Sequence, residues 1–105
     1  MQFAGKLYLA GNVKDSRKLR YRLKKGKLLH GIYVIALSEG RDELDIYHCA
    51  LFRQSFFRKN PRRVVGLADS HEEAVELVVQ IVQDIFSKTG EYKIKSYLEK
   101  QFKNK

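Results

Sequence analysis

The sequence predicts an α+β domain, with a small, mostly antiparallel sheet of about three strands packed by one long amphipathic helix and two or three shorter helices. Three stretches predict it. Residues 64–90, VVGLADSHEEAVELVVQIVQDIFSKTG, announce a strand, a helix start, a long helix and a stop. Residues 31–38 and 43–49 alternate about a polar turn, the pattern of an antiparallel hairpin. No repeat, low-complexity tract or linker interrupts the 105 residues, so they are expected to form one domain, 1–105.

The opening residues 3–10 read as a short strand with Leu7 and Leu9 on one side and Tyr8 on the other, and Gly11-Asn12 reads as a turn. Residues 14–27, KDSRKLRYRLKKGK, carry eight basic side chains and one acid. As a helix this segment is capped by Asp15 or Ser16, turns Leu19 and Leu23 inward, and stops at Gly26 with Lys24 and Lys25 near the negative end of the dipole. A strand competes, because Leu19, Tyr21 and Leu23 alternate with basic residues. The lack of any β-branched side chain favours the helix.

In GIYVIALS, residues 31–38, Ile32, Val34 and Ala36 face one way and Tyr33, Ile35 and Leu37 the other, which suits a central strand. After the turn, Leu44, Ile46 and His48 share a face, and Asp45 points outward beside Tyr47. Residues 50–60, ALFRQSFFRKN, read as a short helix or irregular turn with Phe52 and Phe56 on one side, stopped by Pro61. Residues 64–68 form an apolar strand, and Ser70-x-x-Glu73 is a capping box.

On the helix that follows, Ala74, Val75, Leu77, Val78, Val79, Ile81, Val82, Ile85 and Phe86 spread over roughly 200° of circumference, wider than an ordinary surface stripe. Cover on two sides is expected. Thr89-Gly90 ends the helix, and Ile94, Tyr97, Leu98 and Phe102 predict a closing helix that trails into the basic tail Lys103-Asn104-Lys105.

The composition excludes some functions and favours others. A single cysteine, Cys49, forms no internal bridge, and no apolar run approaches the roughly 20 residues that span a bilayer. The opening also lacks an export signal, so a cytoplasmic protein without membrane attachment is expected. The strand-turn-helix at 64–73 has the outline of a phosphate site, but Asp69, Glu72 and Glu73 put negative charge where the ligand would sit, so capping is the reading. His30, His48, Cys49 and His71 lack metal-ligand or nucleophilic spacing, and His71 is expected to be a packed, neutral imidazole. Glu39, Asp42, Glu43 and Asp45 lack the register of a calcium loop. No catalytic residue, metal or cofactor is assigned.

The formal charge of +9 then gives the functional expectation. Arg17, Lys18, Arg20, Arg22, Lys24, Lys25 and Lys27, joined by Arg58, Lys59, Arg62 and Arg63, form a surface for nucleic-acid phosphates, with Tyr21 placed to stack on a base. No helix-turn-helix, zinc-finger or RNA-recognition pattern accompanies it, so the reading is backbone contact without sequence readout by a non-enzymatic binding protein. The alternative is a protein-interaction module that self-associates or docks on an acidic protein, suggested by the wide apolar arc of the long helix.

Overall fold

The computed structural model describes residues 1–27 and 30–102; the basic tail Lys103-Asn104-Lys105 lies outside the described residues. In chain order the elements are β1 (Gln2–Ala10), α1 (Arg17–Lys24), β2 (Tyr33–Leu37), β3 (Leu44–His48), a 3-10 turn (Cys49–Arg53), α2 (Ser55–Lys59), β4 (Arg63–Ala68), α3 (His71–Thr89), α4 (Ile94–Leu98) and a final 3-10 turn (Glu99–Phe102). The sheet order is β1-β4-β2-β3, with β1 parallel to β4 and the other two pairings antiparallel. The α+β class is as expected, and the strand count rises to four because β1 joins the sheet.

Each face of the sheet carries a separate core. On the upper face, Ile35, Leu37 and Val65 meet Ala74, Leu77, Ile81 and Ile85 of α3 and Ile94 and Leu98 of α4. Leu77, Ile81 and Ile85 are fully enclosed, each contributing about 1.5–3 kcal/mol of apolar burial. On the lower face, Ala4, Leu7, Val34, Val64 and Leu67 meet Leu23 of α1 and Cys49 and Phe52 of the first 3-10 turn, with Leu19 and Phe57 alongside. Helices therefore cover both faces, which is why β2 and β4 are apolar on both alternations.

The local signals account for the element ends. Ser16 caps α1, its Oγ accepting from the Leu19 N–H at 3.0 Å, while Asp15 binds Arg20 instead. Ser70 Oγ accepts from the Glu73 N–H at 3.1 Å at the start of α3, and Gly90, at φ 76°, closes that helix in the left-handed region. Asp42 Oδ1 accepts from the Lys95 N–H at 2.7 Å, so the β2–β3 turn caps the start of α4.

Two expectations about apolar side chains change. Phe56 does not share the inward side with Phe52; it is exposed, and Phe57 packs with Phe52 and Tyr47 instead. Gln54 lies in the extended region between the 3-10 turn and α2, which resets the helical phase by one residue. The arc of α3 is also less completely covered than its width implied: Val75, Val79 and Phe86 remain 43%, 50% and 42% exposed.

Candidate nucleic-acid interface

The elements α1, the first 3-10 turn and α2 all lie on the lower face, so the two basic segments share one side of the molecule. They meet at Gly26, where an added Cβ would stand 3.0 Å from the Phe52 carbonyl and 3.2 Å from Arg53 Cα. Arg53 thereby adjoins the Lys25-Gly26-Lys27 corner and links the segments, a contribution that sequence reasoning missed because nothing local tied residue 53 to residue 26. The acids of α3, Glu72, Glu73, Glu76 and Asp84, occupy the helix over the opposite face. The fold therefore separates charge across the sheet.

Leu19 and Leu23 fix the inward side of α1, which turns Arg17, Lys18, Tyr21, Arg22 and Lys25 toward solvent. Tyr21 lies at the centre of that outward side and is 54% exposed, with the Lys25 and Lys27 ammonium groups 5.7 and 5.9 Å from its ring centroid. Lys24 faces the chain start, where burial and then its charge lower the pKa of the Met1 amino group. Arg58 and Lys59 are exposed at the end of α2. Among the described residues, no carboxylate pairs with Arg17, Lys18, Arg22, Lys24, Lys25, Lys27, Arg58 or Lys59 within 4.0 Å.

Three of the expected phosphate contacts have partners within the protein instead. Arg20 turns back to Asp15, donating from Nε at 2.8 Å and Nη2 at 2.6 Å, and lies over the Phe3 ring. Its hydrogen bond holds the Asp15 carboxyl below the usual range. Arg62 is only 9% exposed and sits among Tyr47, Phe56 and Phe57. Arg63 donates from Nη1 to Glu99 Oε2 at 3.1 Å. For Arg62 and Arg63 the partners Tyr47 and Glu99 lie far off in sequence, whereas Asp15 is only five residues from Arg20.

The other candidate chemistries find structural roles. His48 and Cys49 turn to opposite faces: His48 stands edge-on to Tyr33, while Cys49 lies in the lower core, where burial raises its thiol pKa. His71 is exposed rather than packed, and its ring meets Tyr33 edge-on at 5.6 Å. No group of three or more metal-binding side chains occurs among the described residues. Asp69 Oδ2 accepts from the Asn12 N–H at 2.8 Å, fastening the β1–α1 turn, and Asp45 accepts from the Tyr47 hydroxyl at 3.2 Å.

A cleft of about 210 Å³ opens between β1, α3 and α4, with Ala4, Leu7, Val65 and Leu98 at its floor and Lys6, Tyr8, Asp84, Lys88, Tyr97 and Gln101 around it. The Tyr8 hydroxyl donates to Asp84, and Lys88 pairs with the same carboxylate at 3.4 Å, so these polar groups already satisfy one another. The cleft is smaller than the roughly 300 Å³ at which ligand pockets begin. No helix among the described residues is long and apolar enough to cross a membrane. No protein-family model, curated protein or solved structure matches the chain.

Proposed function

We propose that the protein is a non-enzymatic nucleic-acid-binding protein that grips the phosphate backbone with its lower face. The observation supporting this reading is the gathering of α1, Arg53 and α2 on one side of the sheet, with Tyr21 exposed among cations that have no carboxylate partner among the described residues. Phosphate oxygens complement such ammonium and guanidinium groups, and their binding releases condensed counterions. A base freed from pairing stacks on Tyr21, whose ring is wide enough and open enough to receive it. The contact set is Arg17, Lys18, Tyr21, Arg22, Lys24, Lys25, Lys27, Arg53, Arg58 and Lys59. Arg20, Arg62 and Arg63 are left to the fold.

Fluorescence anisotropy with mixed-sequence single- and double-stranded DNA and RNA across a salt series tests this. Binding is expected at low ionic strength, with a log–log salt slope that falls by about two to three units in the triple variant K18E/R22E/K25E, one unit for each lost phosphate contact. Tyr21→Ala is expected to weaken single strands more than duplexes. Absence of binding at low salt, or a triple variant that binds as the parent does, would overturn the proposal.

A further inference from the structure

We infer that α3 is the contact surface for a second copy of this chain, packed antiparallel about a two-fold axis. With Val75 set at 0° and about 100° per residue, Val79, Val82 and Phe86 all fall within about 40° of it. The buried residues Ala74, Leu77, Ile81 and Ile85 centre about 115° away. The Tyr8–Asp84 hydrogen bond fixes the opposite side of α3 toward β1, so the stripe looks outward on the side of β3, the terminal strand. At its lower end Tyr92, 60% exposed, stacks on Phe86 with centroids 4.4 Å apart.

The occupant follows from the symmetry of the stripe. Its spacing of four, three and four residues reads the same from either end, the condition for an isologous contact. One antiparallel register places Val75 against Phe86 of the second copy and Val79 against its Val82, all four contacts at once. In that register the flanking Glu76 residues of the two copies are about 13 Å apart along the axis, at 1.5 Å per residue, and each lies between the uncharged Gln83 and Ser87 of the other copy. A parallel pair would bring each carboxylate against its own copy.

The exposed apolar area of Val75, Val79, Phe86 and Tyr92 is roughly 300–400 Å² per copy, taking aromatic side chains at 150–250 Å². A standard interface buries about 800 Å² per partner, so the contact is of the weak, concentration-dependent class. The two-fold axis lies about 35° from the direction in which α3 faces its sheet, which leaves both lower faces on one side of the dimer. The dimer stands on the stripe alone; the gain for a long nucleic-acid strand rests on the function proposed above.

Sedimentation equilibrium without nucleic acid tests the dimer. The average mass is expected to rise with concentration from the chain mass of 12.3 kDa toward twice that value. Val79→Glu, at an exposed position, is expected to remain monomeric with an unchanged circular dichroism spectrum. Val75→Cys mixed with Phe86→Cys is expected to give mostly the mixed disulfide. A strict monomer at millimolar concentration, association unaltered by Val79→Glu, or a predominance of same-site disulfides would each overturn the inference. If the dimer forms but Val79→Glu binds a long oligonucleotide as tightly as the parent, rather than at least about tenfold more weakly, dimer-assisted binding is refuted and the dimer stands.

Discussion

The Tyr8 hydroxyl donates a 2.6 Å hydrogen bond to Asp84, joining the parallel edge strand to the long helix across 76 positions of sequence. Tyr8 first, then Lys88, lowers the Asp84 pKa below its ordinary 3.8, while burial and the same bond push the Tyr8 phenol well above its ordinary 10.0. A depressed carboxyl contributes stability above about pH 4 that is lost as pH falls through the folded pKa; a raised phenol contributes stability below pH 10 that is lost as pH rises beyond it. Tyr8→Phe and Asp84→Asn are each expected to cost about 1 kcal/mol at pH 7, below the usual range of about 1.5–3 kcal/mol for a charge-assisted bond because the pair is half-exposed. Urea unfolding should show that cost shrinking toward zero as pH falls below the folded carboxyl pKa.

Gly66 allows β1 to lie where it does. A Cβ there would stand 3.2 Å from the Tyr8 carbonyl oxygen and 3.3 Å from Leu77 Cδ2, so backbone on one side and core on the other must both move. Gly66→Ala is expected to destabilise by about 1–2 kcal/mol, the range for overpacking. Gly5→Ala is the comparison: its nearest neighbour lies at 4.0 Å, and a change within about 0.5 kcal/mol is expected. Thermal denaturation of the two variants side by side checks the contrast.

These two sites also mark where the sequence stops being readable. The helix α3 and the hairpin β2–β3 declare themselves through period, caps and turn residues within a few positions of one another. β1 reads as a strand over residues 3–10, but its place in the sheet does not declare itself, because four of its residues, Ala4 to Leu7, stand opposite the single residue Val65 between the pairs Phe3–Val64 and Tyr8–Gly66. That bulge breaks the alternation a strand shows in sequence. The basic character of α1 was legible for the same local reason as its cap. What became of Arg62 and Arg63 was not, since Tyr47 and Glu99 are remote from them in sequence; Arg20 pairs with nearby Asp15, a residue that equally suited the helix cap.

Cys49 is expected to be chemically quiet. It is buried at the foot of β3, and desolvation raises its thiol pKa more than the nearby backbone N–H groups lower it. A disulfide reagent at pH 7 should label the native protein only as fast as the lower core opens, and the unfolded protein at the full thiolate-limited rate. Immediate labelling of the native chain would contradict that burial.

Arg62 is buried among three aromatic rings. Its guanidinium lies 5.8, 5.6 and 5.2 Å from the ring centroids of Tyr47, Phe56 and Phe57, its Nε donates to the Tyr47 hydroxyl at 3.2 Å, and its Nη1 donates to the Asn60 carbonyl at 2.8 Å. The Tyr47 hydroxyl in turn donates a hydrogen bond to Asp45, so the buried charge is answered through a phenol rather than by direct contact with a carboxylate. Removing the side chain loses the ring contacts, both hydrogen bonds and the cover over Phe57. Arg62→Ala is therefore expected to cost about 3–5 kcal/mol, summing a partly desolvated cation–π contact and two charge-assisted hydrogen bonds at the low end of their range. Arg62→Lys keeps the charge but not the planar fork, and is expected to recover less than half of the loss. Chemical denaturation measures both. Oligonucleotide binding by the Arg62→Lys protein, kept well inside its folded range, is expected to match the parent, because this arginine holds α2 to the sheet and does not reach the lower surface.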